Sequence, residues 1–457
     1  MIKKFLNSWN CRKGNVNDTD DLIEWINKLN NNTYVNIKEK SILEDNFWFY
    51  DDYNGEILNR KRSFFSIKGM RRFEDEEFIS EQPIIVQPEI GYLGIICKEI
   101  NGVLNFLMQA KIEPGNVNCV QISPTIQATK SNFTRAHGGN LPAYFEMFEN
   151  SSKHVILYDQ VQSEQASRFY KKRNRNMIML IENDIEVLPN FKWMTLGQIK
   201  ELMKIDNLVN MDTRTVLSGI PFFSINEYDE SIKKYVKDLE LLKSMDETNI
   251  IDELPQVFQL VNNYKMFSDI RISTVPLYEL VDWDINEYGI TCRKQAPFMV
   301  RFYEIEIEGR EVRKWSQPLF KAIGIATFGL ISTIKDGRRQ FLIKARPEFG
   351  SFDKIEMGPT IQWEPTHYLY NDDKIEKIFR SYTEANKGIM KNVILSEEGG
   401  RFFHEQNKNM IINVPYEEIG QLPEGYVWVS YSTLSMMTQF NNILNIQLRN
   451  LISILDI

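Results

Sequence analysis

The sequence predicts an α+β fold built from two tandem copies of one domain type, each a mixed sheet with helices. Three observations predict it: a long internal repeat, strand-like runs joined by hairpin turns, and a capping motif before a closing helix. With 457 residues, and at roughly 100–200 residues per domain, the chain has room for two to four domains. A single small domain is therefore excluded.

The internal repeat has an offset of 235 residues, so that Gln82-Pro83 returns as Gln317-Pro318. A later match, Ser163-Glu164 with Ser396-Glu397, has an offset of 233, so the second copy is two residues shorter before that point. A period this long is far above that of solenoid repeats, and each copy is therefore predicted to be a domain. Further pairs at the offset of 235 are Gly94 with Gly329, Glu113 with Glu348, Gly115 with Gly350, the string Pro124–Gln127 with Pro359–Gln362, Trp193 with Trp428, and Arg214 with Arg449.

Each copy contains a predicted β-hairpin. In the first copy Tyr92–Cys97 and Leu104–Lys111 are strand-like, and Asn101-Gly102 between them favours a tight hairpin turn. The second copy has Asp336-Gly337 at the same position, and Asp-Gly favours the same turn. The string Thr195–Gln198 has the pattern of a capping box, so it predicts the start of a helix that closes the first copy.

A polar segment with helical periodicity separates the copies. Apolar residues from Ile232 to Leu242 share one helical face, and Pro255–Tyr264 looks similar, which predicts a connecting pair of helices. We expect an N-terminal extension with the first repeat over residues 1–220, a helical connector over 221–270, and the second repeat over 271–457.

The composition is that of a globular protein, with 43% hydrophobic and 25% charged residues. The net charge of −8 argues against broad binding to nucleic acid, so any basic site must be local. No stretch approaches the ~20 apolar residues that span a bilayer, and the first residues lack a signal-peptide core. We therefore expect a cytoplasmic protein with no membrane or nucleic-acid partner.

Metal ligation has no support in the spacing of the usual ligands. No two cysteines form a C-x-x-C pair, and no two histidines are three or four residues apart, which would place them on one helical face. We expect no metal site and reduced cysteines. The residues concerned are Cys11, Cys97, Cys119, Cys292, His137, His154, His367 and His404.

Several long strings resemble the NDP-hexose 2,3-dehydratases. In the first copy these are Asn105–Asn118, Gln121–Gly139 and the pair of strings Ser163–Gln165 and Arg168–Asn176; in the second copy it is Ser396–Phe402. The resemblance covers nearly the whole chain, including its duplication.

The resemblance implies a homodimeric enzyme without metal or other cofactor, built from two degenerate Nudix-type domains. It implies dTDP-4-keto-6-deoxyglucose as the substrate and a 3-ketoreductase as the next enzyme. A working Nudix hydrolase needs a Gly-anchored helix with Arg-Glu and Glu-Glu pairs, and neither copy has one, so diphosphate hydrolysis is disfavoured. A non-catalytic nucleotide-sugar binding protein is the main alternative.

Dehydration of a 4-keto sugar at C-2 requires a base near C-3, a donor for the C-4 oxyanion and an acid for the leaving hydroxyl. The candidates for proton transfer are His137, Glu113 and Tyr170. Structural roles remain open for all three: a lone histidine is more often structural, and Glu113 recurs as Glu348. Tyr170 is replaced by Phe403 in the second copy, so the fold of that copy does not need its hydroxyl.

Substrate binding is predicted mainly in the first copy. The dense cationic run from Arg168 to Arg175 is the leading phosphate site, because arginine supplies bidentate donors to phosphate; a solvated charged face is the alternative. The predicted binding residues are Lys111, Gln127, Thr134, Arg135, Glu164, Arg168, Lys172, Arg173 and Arg175. A second pocket, catalytic or able only to bind nucleotide, is predicted from Arg346, Glu348, Glu356, Gln362, Glu397 and Arg401.

Overall fold

The computed structural model describes residues 1–130, 141–310, 312–366 and 372–457. These residues form mixed sheets and twelve α-helices, which confirms the α+β class. The helices are α1 (Ile2–Asn10), α2 (Thr19–Asn32), α3 (Phe145–Glu149), α4 (Leu196–Leu202), α5 (Met211–Ser218), α6 (Glu230–Lys233), α7 (Leu239–Ser244), α8 (Asn249–Phe267), α9 (Lys374–Glu384), α10 (Tyr416–Ile419), α11 (Tyr431–Met437) and α12 (Ile446–Ile454). In the described part of the chain, no helix is both long and apolar enough to span a membrane.

The strands form two corresponding series, one in each copy. Those before the middle of the chain are β1 (Val35–Glu39), β2 (Trp48–Asp51), β3 (Glu56–Asn59), β4 (Ser66–Glu74), β5 (Glu77–Val86), β6 (Ile90–Ile100), β7 (Val103–Ile112), β8 (Val120–Ser123), β9 (Ile126–Ala128), β10 (Val155–Ser163), β11 (Arg173–Ile181) and β12 (Phe191–Thr195). The later ones are β13 (Arg271–Val275), β14 (Trp283–Asn286), β15 (Gly289–Cys292), β16 (Phe298–Ile307), β17 (Lys314–Ala322), β18 (Ala326–Lys335), β19 (Arg338–Arg346), β20 (Glu356–Pro359), β21 (Ile361–Trp363), β22 (Ile389–Ser396), β23 (Phe402–Phe403), β24 (Gln406–Asn413) and β25 (Tyr426–Val429).

Each copy has a central sheet with the same strand order. In the first copy the order is β10-β11-β6-β7-β12, with β8 paired to β7 and β9 to β6. In the second copy it is β22-β24-β18-β19-β25, with β20 paired to β19 and β21 to β18. The predicted hairpin turns are confirmed, because Asn101-Gly102 and Asp336-Gly337 join β6 to β7 and β18 to β19 with positive φ angles. The capping box at Thr195 is also present and begins α4.

The segment between the copies differs in part from the predicted pair of helices. The Asp238 side chain accepts a hydrogen bond from the backbone N–H of Leu241 (2.9 Å) and so begins a new helix. Two short helices, α6 and α7, therefore replace the first predicted helix. The second predicted helix is confirmed as part of α8.

Helix α7 has the same role in the second copy as α1 has in the first. The Ser8 hydroxyl accepts from the backbone N–H of Leu196, the first residue of α4 (2.9 Å), and the Ser244 hydroxyl accepts from that of Tyr431, the first residue of α11 (2.7 Å). Leu196 and Tyr431 are 235 residues apart. We therefore propose that residues 221–270 include the N-terminal helices of the second repeat.

The two copies exchange edge strands. β1, from the first copy, pairs antiparallel with β16 of the second, with Val35 opposite Ile307. β13, from the second copy, pairs antiparallel with β4 of the first, with Arg271 opposite Phe73. Each outer sheet is therefore built from both halves of the chain.

The loop after the hairpin in each copy packs against a loop of the other copy. The backbone N–H of Gly115 donates to the carbonyl of Gly399 (2.7 Å), and that of Gly350 donates to the carbonyl of Ala166 (2.7 Å). A Cβ atom on Gly115 would lie 1.6 Å from the Phe402 carbonyl oxygen, so only glycine allows this approach.

Two buried arginines reinforce the same exchange. Arg214 on α5 donates to the Ser396 carbonyl (2.8 Å), and Arg449 on α12 donates to the Ser163 carbonyl (2.5 Å). Each arginine also donates to a carbonyl in its own copy, and both are 1% exposed. Because a buried guanidinium needs several acceptors, these contacts fix the loop after β10 and the loop after β22 against the opposite copy.

Glu356 allows a test of the crossed contacts. It accepts a hydrogen bond from the Ser163 hydroxyl (2.7 Å), and its counterpart Gln121 donates to the Ser396 hydroxyl (2.8 Å). Burial raises the pKa of Glu356 from 4.5 to about 8, so the folded state binds a proton that the unfolded state releases between these values. Its contribution to stability is therefore largest at low pH and is lost as the pH rises from about 4.5 to 8.

We expect Glu356→Gln to fold and to remove this loss, because the first copy already uses glutamine at this position. Between pH 5 and 8 the free energy of unfolding of the wild type should fall by about 1–3 kcal/mol more than that of the variant. Urea denaturation at the two pH values measures the difference. Equal pH dependence of the two proteins would contradict the prediction.

Candidate functional site

A cavity of about 650 Å³ lies where the central sheet of the first copy meets two segments of the second. These segments are the β16–β17 hairpin and the loop after β22, which crosses to the first copy as described above. The polar and charged side chains around the cavity include Gln87, Lys111, Glu113, Gln127, Glu164, Lys172, Asn174 and Asp212 from the first copy, and Arg310, Gln317, Glu398 and Arg401 from the second.

Aromatic rings form part of the cavity wall. Phe47, Trp48, Phe64 and Trp315 all line it. Trp48 packs on Phe65 with ring centroids 4.8 Å apart, and its indole N–H donates to the Ser316 carbonyl (2.7 Å), so it too connects the two copies. Flat apolar faces beside polar backbone suit the stacking of a ring such as a nucleobase.

Glu113 is held in an ion-pair network. Its carboxylate lies 2.9 Å from the Lys111 ammonium and 3.1 Å from the Arg310 guanidinium. Burial alone would raise the pKa of Glu113, but the two cations lower it to about 2. A carboxylate with so low a pKa is a weak base, so these contacts favour a role in positioning Arg310 and Lys111.

Glu164 and Lys172 also line the cavity, as the sequence predicted. Glu164 accepts a hydrogen bond from the Asn174 amide (2.5 Å), and burial raises its pKa. Lys172 donates to the Glu89 carbonyl (2.6 Å), and burial lowers its pKa to about 8. The second copy repeats the first of these contacts, because Asn407 donates to Glu397.

Asp212 and Glu398 are among the carboxyls of the cavity that sequence reasoning missed. Asp212 is the second residue of α5 and is 2% exposed. Glu398 comes from the crossing loop and accepts a hydrogen bond from the backbone N–H of Gly400 (2.7 Å). Burial raises the pKa of Glu398 to about 7 and that of Asp212 well above its ordinary value.

Arg401, predicted for a second pocket, lines the cavity of the first copy. Its guanidinium lies over the rings of Phe64 and Phe65, 4.3 and 4.6 Å from their centroids, and donates to the Gln87 side chain (3.1 Å). Among the described residues it has no carboxylate within ion-pair distance, and its Nε atom has no hydrogen-bond partner. It contacts the aromatic rings of the cavity, and its charge interacts with Glu398, Glu89, Glu113 and Glu164.

The corresponding Arg168 faces the second copy instead. It forms an ion pair with Glu364 (3.1 Å) and lies over the Phe298 ring, 4.4 Å from the centroid. Burial lowers the pKa of Arg168, but the charge of Glu364 opposes this effect and the pKa is raised overall. The pKa of Arg401, in contrast, is lowered by burial. At the position of Glu364 the first copy has Thr129, so the two arginines differ in whether a carboxylate neutralises them.

The predicted cationic run does not act as one cluster, because its side chains alternate in direction along β11. Lys172 and Asn174 face the cavity. Arg173 lies over the Phe352 ring (3.8 Å to the centroid), and Arg175 pairs with Asp159 (2.6 Å). Among the described residues, these two arginines do not line the cavity. Tyr170 is half-buried and does not line it either.

The remaining predicted residues divide into two groups. Thr134, Arg135 and His137 lie outside the described residues, so their roles stay predictions. Besides Arg401, the residues assigned to a second pocket also bond to protein groups: Arg346 donates to the carbonyls of Pro359 and Thr360, Gln362 donates to Glu348 (2.7 Å), Asn407 donates to Glu397, and Ser163 donates to Glu356. No group of three or more metal-ligating side chains occurs in the described ranges.

The fold and the cavity define a duplicated α+β protein with one large cavity lined by aromatic rings, cations and carboxyls. A family model described as NDP-hexose 2,3-dehydratase matches residues 19–220 and 254–455. The two matches are 235 residues apart at both ends. The chain belongs to this family of sugar-nucleotide hydro-lyases, and the resemblance seen in the sequence is confirmed.

Two relatives agree with this assignment. A protein of Amycolatopsis orientalis is 31% identical over 447 residues, which is 96% of this chain and 90% of the relative. A protein of Saccharopolyspora spinosa is 35% identical over 416 residues, which is 89% of this chain and 85% of the relative. Both are named dTDP-4-dehydro-6-deoxy-alpha-D-glucopyranose 2,3-dehydratase.

Proposed function

We propose that this enzyme removes the C-2 hydroxyl of dTDP-4-keto-6-deoxyglucose and gives the 3,4-diketo-2,6-dideoxy sugar, a step in deoxysugar biosynthesis. The names of the relatives support this substrate. The observation that carries the proposal is that one cavity is lined by aromatic rings, by Arg310 and Arg401, and by a set of carboxyls. These three kinds of group suit a nucleoside, a diphosphate and a keto sugar.

Arg401 is the preferred diphosphate ligand. It is fixed by two aromatic rings and a glutamine, and no described carboxylate neutralises it, so it is ready to bind an anion. Arg310 lies on the same path, between Glu113 and the Trp315 ring. The deoxysugar would then extend toward Asp212 and Glu398. In this arrangement the nucleobase stacks near Trp48 and Trp315.

Several properties implied by the resemblance belong to the same proposal. We propose that each central sheet is a degenerate Nudix-type frame and that the enzyme is a cytoplasmic homodimer. A 3-ketoreductase is the expected next enzyme, because a 1,2-diketone is reactive and reduction at C-3 removes it. The reaction involves no net oxidation or reduction, so no nicotinamide is needed.

The reaction itself is tested with dTDP-4-keto-6-deoxyglucose in deuterated buffer. We expect the loss of one water per sugar, detected by mass, and deuterium at C-2 of the product, detected by NMR. Saturable binding without exchange or loss of water would indicate a nucleotide-sugar binding protein. Release of a nucleoside monophosphate in the presence of magnesium would indicate a hydrolase.

The diphosphate site is tested by Arg401→Gln, with Arg168→Gln as the matched control in the second copy. Loss of a charge-assisted contact of about 1.5–3 kcal/mol should raise KM roughly 10- to 100-fold in Arg401→Gln and change kcat less, because the diphosphate is bound in both ground and transition states. Arg168→Gln should leave KM within about threefold. Thermal unfolding confirms that both variants fold; equal effects of the two substitutions would contradict the assignment.

A chelator tests the expected independence of metal. Incubation with EDTA should leave the turnover unchanged, because the proposed chemistry uses protein groups for proton transfer and for charge stabilisation. Loss of turnover that a divalent ion restores would contradict this expectation.

A further inference from the structure

Asp212 and Glu398 differ from Glu113 and Glu164, the two carboxyls of the cavity that the sequence predicted, in how they are held. Glu113 is ion-paired and Glu164 is bonded to Asn174. Asp212, in contrast, is 2% exposed and makes no hydrogen bond or ion pair with any described residue, yet it lines the cavity. Glu398 accepts only a short-range bond from the N–H of Gly400. Neither carboxyl is needed to hold another side chain in place.

The second repeat provides an internal comparison for these two positions. The carboxyls and amide that bond to the protein recur in it: Glu113 as Glu348, Glu164 as Glu397, and Gln127 as Gln362.

Asp212 and Glu398 do not recur. The counterpart of Asp212 is Gln447, and the counterpart of Glu398 is Gln165, which faces the second copy. The fold therefore accepts an uncharged amide at both positions, and the two acids serve something other than folding.

The two carboxyls are electrostatically coupled. Burial raises the pKa of Asp212 first, and the charges of Glu164 and Glu398 raise it further; Lys111 opposes the shift, and Glu113 adds to it. The pKa of Glu398, raised mainly by burial, is about 7. The raised pKa of Asp212 favours its protonated form, as a general acid requires, and Glu398, with a pKa of about 7, is partly ionised at neutral pH, as a general base requires.

We propose that Glu398 takes the proton from C-3 of the sugar and that Asp212 gives a proton to the leaving C-2 hydroxyl. This inference rests on the proposed function. The roles follow from the contacts: the Gly400 N–H stabilises the ionised form of Glu398, whereas no described group donates to Asp212. The base of the site thus comes from the second copy and the acid from the first.

The step is balanced within these two groups. The C–H electron pair at C-3 forms the enolate with C-4, and Glu398 becomes protonated. The enolate electrons then form the C-2–C-3 double bond as the C-2–O bond breaks, and Asp212 loses its proton to the departing water. Proton transfer from Glu398 to Asp212 through solvent restores both groups, and the enol takes up a proton at C-2 as it loses the one on the C-3 oxygen.

Two isosteric variants separate the roles. Asp212→Asn should still exchange the C-3 hydrogen of the substrate for deuterium, because the base is intact, but should dehydrate at least about 100-fold more slowly. Glu398→Gln should lose both exchange and dehydration to a similar degree. NMR at C-3 of the recovered substrate and the mass of the product measure the two steps separately. Both variants should bind dTDP with the affinity of the wild type.

The control is Gln447→Asn, which alters the counterpart of Asp212 and should leave both steps unchanged. Asp212→Gln, which copies the second repeat, replaces Asp212→Asn if that variant does not fold. Dehydration by either Asp212 variant at a tenth of the wild-type rate or more, or C-3 exchange by Glu398→Gln, would overturn the proposal. Failure of the wild type on this substrate would instead contradict the proposed function.

Discussion

The reciprocal crossing of loops between the two repeats is the constraint on which the site depends. Arg214 and Arg449 each bind a carbonyl of the opposite copy, and both are buried. Removing one acceptor would leave a buried guanidinium with unmet hydrogen bonds, which costs several kcal/mol. The loops after β10 and β22 are therefore held across the interface, and with them the side chains that they carry. The two copies cannot rearrange independently.

This crossing explains why one cavity contains residues that are far apart in sequence. The loop that holds Arg401 and Glu398 belongs to the second copy but lies over the central sheet of the first. Its counterpart carries Arg168 and Gln165 toward the second copy. Duplication thus places two related loops against the opposite copies, and the side chains that the two loops carry differ.

Much of this architecture can be predicted from sequence, and the errors have physical causes. The repeat offset, the hairpin turns and the capping box identified the central sheets, because these signals depend on local residue pattern. Lys111, Glu113, Gln127, Glu164 and Lys172, which the sequence assigned to one site, line one cavity, since all lie on the first copy's own strands and loops. Arg401, which the sequence assigned to a second pocket, lines the same cavity, because sequence proximity does not reveal that a loop crosses. The alternation of side chains along β11 and the difference between Asp212 and its counterpart Gln447 can both be read from the sequence. Neither entered the prediction of the site.

The two crossing loops differ in whether a carboxylate pairs with the buried arginine that each loop carries. In the second copy Glu364 neutralises Arg168, so that the pair is satisfied without a ligand. In the first copy Thr129 leaves Arg401 without a described carboxylate partner, and its burial lowers its pKa, which means that its charge is poorly solvated. An anion bound in the cavity would supply the negatively charged partner that Arg401 lacks among the described residues. The cost of burying the Arg401 charge in the free protein is then recovered on binding, in the cavity that Asp212 and Glu398 also line.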